Sequence, residues 1–83
     1  MGNHIEFYKN KLQKFNIPEW IEESILKLIN SNKAIDLAWE CYWSELNADL
    51  NAAENNGEIS PSTADSLRDI YLYEFWTKDD NND

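Results

Sequence analysis

Four stretches of the chain place apolar residues three and four positions apart, the spacing that lines one face of an α-helix. Helix-breaking residues separate these stretches at Asn16–Pro18, Asn30–Asn32 and Asn56–Gly57. In a chain of 83 residues, four helices leave room only for short connections. The pattern therefore predicts an all-α fold, a small four-helix bundle over residues 1–76, with residues 77–83 as a frayed acidic tail.

The helical spacing also assigns a buried face to each helix. The residues assigned to these faces are Ile5, Tyr8, Leu12 and Phe15; Trp20, Ile21, Ile25, Leu28 and Ile29; Ile35, Trp39, Tyr42, Leu46, Leu50 and Ala53; and Ala64, Leu67, Ile70, Tyr71 and Phe75. On the fourth helix, Tyr73 and Trp76 fall largely outside the buried face. We therefore expect these two aromatic side chains to be available at the surface.

Local signals indicate where the helices begin and end. Pro18 suits the first position of the second helix, and the third helix is predicted from about Lys33 to Asn55. Gly57 is the expected stop, since glycine readily adopts the left-handed conformation that follows a helix. Ser60 before Pro61 predicts the start of the fourth helix, with Ser62 and Asp65 as a competing capping box.

The third helix carries a second stripe, of mostly small residues, nearly opposite its buried face. Its members are Leu37, Cys41, Ser44, Ala48 and Ala52. Small side chains let another backbone approach closely. Either this helix is central within the domain, or the stripe contacts another chain, with Leu37, Cys41, Ala48 and Ala52 as the seam of a homodimer.

Charge is spread unevenly along the chain. Residues 1–33 contain four acids and five bases, whereas residues 34–83 contain twelve acids and two bases, a net charge of −10 in that part. Such a surface repels nucleic acid and anionic membranes and attracts basic proteins. A general solubilising role is the simpler interpretation of the same acidity.

Several acids are spaced four apart on predicted helices, where like charges oppose helix formation slightly. Carboxylates at this spacing project about 6 Å apart, comparable to the step between phosphates of a DNA strand. This favours a stoichiometric inhibitor that imitates DNA and occupies a nucleic-acid-binding protein. The predicted partner contacts are Asp36, Glu40, Glu45, Asp49, Glu54, Glu58, Asp65 and Asp69, with Tyr73 or Trp76 as an aromatic anchor.

These acids cannot all face one way. Asp36, Glu40 and Glu54 lie on one flank of the predicted third helix, and Glu45 and Asp49 lie on the other. One partner would therefore contact one flank together with the fourth helix. An immunity or antitoxin protein that binds a basic toxin would use the same acidic mechanism, and a self-associating structural module remains the alternative.

No motif in the sequence indicates catalysis or a cofactor. The segment around Gly57 resembles the middle of a calcium-binding EF-hand loop, but Ala52 and Thr63 occupy the first and last loop positions, where carboxylates are needed. One cysteine and one histidine are too few for a zinc or iron–sulfur site within one chain. We therefore expect no metal, no cofactor and no enzymatic activity. The unpaired cysteine and the interrupted N-terminal apolar pattern favour a cytoplasmic protein.

Overall fold

The computed structural model describes residues 2–31 and 37–77, and within these ranges the chain forms four helices and no strand. The helices are α1 (Gly2–Leu12), α2 (Glu19–Ile29), α3 (Trp39–Asn55) and α4 (Pro61–Leu67), the last continued by a π-helical segment (Arg68–Glu74). The prediction of an all-α fold is confirmed, while the closer description as a four-helix bundle stays a prediction. Thr77 is helical, and residues 78–83 of the predicted tail lie outside the described residues.

The predicted signals mark the beginning of α4 and the end of α3. The Ser60 hydroxyl accepts a hydrogen bond from the Thr63 backbone N–H at 3.1 Å, and Pro61 is the first helical residue. Ser62 consequently lies inside α4, so Ser60 and not Ser62 is the cap. Gly57 has a φ of 77°, the left-handed conformation expected after a helix.

The third helix begins later than predicted. It starts at Trp39 and not near Lys33, and Leu37 and Ala38 form a turn before it. The Leu37 side chain is 97% exposed, so continuing the helix back through this residue would bury no apolar surface there.

One apolar core joins the four helices. Its members are Tyr8, Leu12, Ile21, Ile25, Leu28, Ile29, Leu46, Leu50, Ala53, Ile59, Ala64, Leu67, Tyr71, Leu72, Phe75 and Trp76. Most of these core residues belong to the faces that helical spacing predicts. Conversely, Trp20 is predicted to belong to a buried face, but 39% of this residue is exposed.

Aromatic rings connect α1 with α3 through the C-terminal part of the domain. Tyr8 meets Phe75 edge to face at 5.1 Å between ring centroids, and Phe75 meets Trp76 at 4.6 Å. Trp76 in turn meets Trp39 at 5.2 Å. Edge-to-face pairs of this kind add to the stability that burial provides.

The π-helical segment corrects the prediction for Trp76, which is buried with 6% exposure. The Phe75 N–H bonds to the carbonyl five residues back, at Ile70, so the turn is wider than that of an α-helix. Adjacent residues can then both face inward, and Leu72 and Trp76 are buried beside Tyr71 and Phe75. The expectation that Trp76 lies outside the buried face, where a partner could use it as an anchor, is therefore wrong.

Within the described residues, no helix combines the length and the apolar character that a membrane crossing requires.

Candidate functional site

An open cleft of about 410 Å³ lies between α2 and α3. Its lining residues are Trp20, Glu23, Ser24 and Lys27 from α2 and Glu45 and Asp49 from α3. The four residues of α2 follow one another at the spacing of a single helix face, and the two carboxylates of α3 are four residues apart. The cleft thus forms where two polar helix faces meet beside the core.

A buried hydroxyl fixes one of the cleft carboxylates. Ser24 is 6% exposed, and its hydroxyl donates a hydrogen bond to Asp49 Oδ2 at 2.9 Å. Hydrogen bonds to an ionised carboxylate are stronger than those between neutral groups. The Asp49 carboxylate is therefore held in the lining of the cleft, with α2 supplying the donor.

Lys27 of α2 forms an ion pair with Glu45, the other cleft carboxylate of α3. Lys27 Nζ lies 3.1 Å from Glu45 Oε1 and 5.3 Å from the centroid of the Tyr42 ring. About half of each charged side chain is exposed, so the ion pair contributes little to stability.

The Trp20 indole borders the cleft and points its N–H toward the connection between α3 and α4. Its Nε1 donates to Glu58 Oε1 at 3.1 Å. The exposed ring is thus bonded to the carboxylate of Glu58 and lines the same cleft as Glu23 and Asp49. An aromatic ring with carboxylates around it suits an arginine or lysine side chain, which gains both charge pairing and cation–π contact.

The predicted partner contacts separate onto different surfaces. Glu45 and Asp49 line the cleft, and Glu58 joins it through Trp20. Glu40 and Asp69 are exposed and are not among the lining residues. Asp36 lies outside the described residues.

Glu54 and Asp65 form a separate cluster around Arg68. The Arg68 guanidinium lies 3.2 Å from Glu54 and 2.9 Å from Asp65, and it also donates to the side chain of Asn51. The positive charge offsets these acids, so this cluster is less attractive to a basic partner than the cleft is.

Tyr73 remains a surface aromatic, as predicted, with 56% exposure. Its ring meets Trp43 edge to face at 6.0 Å. Since Trp76 is buried, Tyr73 is the one of the two predicted anchors that a partner can reach.

The small-residue stripe of α3 faces solvent. Leu37, which lies in the turn before α3, is 97% exposed, and Cys41, Ala48 and Ala52 of α3 are also exposed. The described part of this chain does not cover the stripe, which argues against the alternative that places this face of α3 inside the domain.

Sequence reasoning missed Trp20, Glu23, Ser24 and Lys27. Their spacing on α2 indicates a shared face, but the same spacing places Trp20 in the core.

No group of three or more histidine, cysteine or acidic side chains within residues 2–31 and 37–77 is placed to hold a metal ion. Comparison of the chain with protein-family models, curated proteins and solved structures finds no match.

Proposed function

We propose that this chain is an acidic protein-binding domain whose cleft between α2 and α3 receives a basic segment of another protein. The observation that carries the proposal is the exposed Trp20 indole, which donates to Glu58 and lines the same cleft as the acids Glu23, Glu45 and Asp49. Exposed tryptophan is enriched at the energetic centres of protein interfaces. The surrounding negative charge selects for lysine and arginine and accelerates their encounter.

The partner class follows from the same charge. A net charge of −10 in residues 34–83 disfavours direct nucleic-acid binding and attracts proteins that themselves bind nucleic acid. The specific function that we propose is stoichiometric inhibition of such a protein, by occupying its basic surface in place of DNA. This is a binding role without catalysis, in the cytoplasm.

The test is capture of partners from a lysate of the source cells by three tagged forms of the protein. The first is the wild type, and the second carries Glu45→Gln and Asp49→Asn in the cleft. The third carries Glu40→Gln and Asp69→Asn, which remove the same charge from exposed positions outside the cleft. We expect a basic protein that the first and third forms retain, that the second loses, and that rising salt releases.

The captured protein must then be tested for its own nucleic-acid binding. We expect equimolar wild-type domain to block that binding and the cleft variant to leave it intact. Equal capture by all three forms would contradict the assignment of the cleft. Capture without effect on nucleic-acid binding would contradict the inhibitor function and leave the protein-binding function in place.

Self-association is the second candidate, because the structure leaves the small-residue stripe of α3 exposed. In this alternative, Leu37, Cys41, Ala48 and Ala52 pack against the same stripe of another copy. Ala48→Trp should then convert a dimer into a monomer in sedimentation analysis, whereas Glu45→Gln should leave the dimer unchanged. A wild-type monomer at high concentration would contradict this candidate.

A further inference from the structure

Lys27 occupies a position in the cleft that has the chemistry of a cation-binding site. Its ammonium lies against the Glu45 carboxylate at 3.1 Å and 5.3 Å from the centre of the Tyr42 ring. A ring and a carboxylate together are what an incoming lysine or arginine of a partner would contact. Among the six residues that line the cleft, Lys27 is the one base.

We propose that Lys27 is a built-in competitor, which fills the position between Tyr42 and Glu45 until an arginine or lysine of the partner displaces it. The inference rests on the proposed function of the cleft as a site for a basic segment. Beyond that function, the inference identifies the position between Tyr42 and Glu45 as the one that receives the partner's cation, and Lys27 as the group that this cation displaces.

The exposure of the pair makes displacement feasible. Both side chains are about half exposed, so solvent screens the attraction and the internal contact is weak. The long, flexible stem of lysine lets its ammonium move into solvent without movement of α2. An arginine is well suited to replace it, because the planar guanidinium can stack on a ring and bond to a carboxylate at once.

The competition predicts that removing the lysine strengthens binding. The substitution Lys27→Met keeps an unbranched side chain against Tyr42 and removes the ammonium. The matched control is Lys14→Met, which removes the same charge from an exposed residue outside the cleft. Both variants change the net charge by the same amount, so a difference between them measures the effect of an ammonium at the cleft itself. Displacement of the lysine is then tested directly by the second measurement.

The first measurement is fluorescence polarisation with labelled hexa-arginine as the probe, at an ionic strength of about 0.15 M. We expect Lys27→Met to bind the peptide roughly fivefold more tightly than the wild type, the size expected for losing one exposed ion pair and one cation–π contact. Lys14→Met should change the affinity by less than about twofold. Glu45→Gln should weaken binding in both the wild-type and the Lys27→Met backgrounds.

The second measurement follows Lys27 directly by NMR. The ring current of Tyr42 should shift the ε-methylene signal of Lys27 away from that of Lys14. Saturating hexa-arginine should bring the two signals together, because the displaced side chain moves into solvent. A Lys27 signal that stays unchanged while the peptide binds would overturn the proposal.

The outcomes separate this inference from the proposed function on which it rests. If the peptide binds in a manner that depends on Glu45, but Lys27→Met and Lys14→Met behave alike, the cleft is a binding site and Lys27 is not a competitor. If the peptide binds neither the wild type nor Lys27→Met, the cleft is not a site for basic segments, and both conclusions fall.

Discussion

The indole N–H of Trp43 on α3 donates a hydrogen bond to the backbone carbonyl of Leu72, 3.0 Å away in the π-helical segment. This bond joins α3 to the π-helical segment, whose wider turn lets both Leu72 and Trp76 be buried. Trp43→Phe keeps an aromatic ring and removes the donor, so we expect a loss of about 1–2 kcal/mol in the free energy of unfolding. Urea denaturation followed by circular dichroism measures it.

Trp20→Phe is the matched control for this prediction. The Trp20 indole also donates a hydrogen bond, to Glu58, but it does so at an exposed position. Solvent can replace that bond, and we expect a loss below about 0.5 kcal/mol. Equal losses of unfolding free energy in the two variants would show that the bond to Leu72 stabilises the fold no more than the exposed bond to Glu58 does.

Stability should fall at alkaline pH because of two buried tyrosines. Tyr8 donates to Glu74 Oε2 at 2.8 Å, and Tyr71 donates to the Tyr8 carbonyl at 2.7 Å. Burial, followed by the hydrogen bond and negative charge of Glu74, raises the pKa of Tyr8 from 10.0 to about 12. Burial is also the largest cause that raises the pKa of Tyr71, followed by the charges of Tyr8 and Glu74.

The direction follows from proton linkage. Below pH 10 both the folded and the unfolded chain keep these phenol protons, so their contribution to stability is complete. Above pH 10 the unfolded chain releases them first, and stability falls by about 1.4 kcal/mol per pH unit for each tyrosine until its folded-state pKa is reached. Urea unfolding between about pH 9 and about pH 12 should show this dependence of the unfolding free energy on pH. Tyr8→Phe should reduce the slope by the contribution of one tyrosine, about 1.4 kcal/mol per pH unit. Identical slopes in the two proteins would contradict the assignment.

Gly57 should be sensitive to substitution for a reason confined to the backbone. Its φ is 77°, and a Cβ built on it would meet no atom within 4 Å. Gly57→Ala should therefore cost about 1 kcal/mol through backbone strain alone, and Gly57→Asn should cost less because asparagine tolerates this conformation better. Thermal and urea denaturation measure both variants. A larger loss for asparagine than for alanine would indicate a steric origin instead.

The cap of α4 gives a prediction with an internal control. Ser60→Ala removes the acceptor for the Thr63 N–H and should cost about 1 kcal/mol. Ser62→Ala changes a residue inside the helix and should alter stability by less than about 0.5 kcal/mol. A larger effect at Ser62 would mean that the competing capping box forms in solution.

Local features of the sequence predicted the fold well where the responsible interactions are themselves local. Gly57, Ser60 and Pro61 mark helix ends because the backbone conformation and the cap involve residues within three positions of one another. Helical spacing likewise identified Leu46 and Leu50 as buried, since α3 is regular through its length.

The failures have two other origins, contacts between distant parts of the chain and a local departure from α-helical geometry. Helical spacing places Trp20 in the core, yet its N–H donates a hydrogen bond to Glu58, 38 positions later, and its ring is exposed at the surface. Trp76 was expected outside because α-helical spacing does not anticipate the π-helical turn before it. The cleft was missed because it requires the relative placement of Lys27 and Glu45 on two helices, which the spacing within either helix does not reveal.

The hydrogen bonds that join Tyr8 to Tyr71 and Glu74 also bear on the order of events when the chain is made. Tyr71 and Glu74 lie 63 and 66 positions after Tyr8, so Tyr8 has these hydrogen-bond partners only when the C-terminal part of the domain exists. During synthesis, the Tyr8 side chain therefore lacks its hydrogen-bond partners and its edge-to-face contact with Phe75 until the C-terminal part has left the ribosome, which leaves part of the apolar face of α1 accessible to chaperones. A truncation a few residues before Tyr71 should produce a chain that remains bound to chaperones.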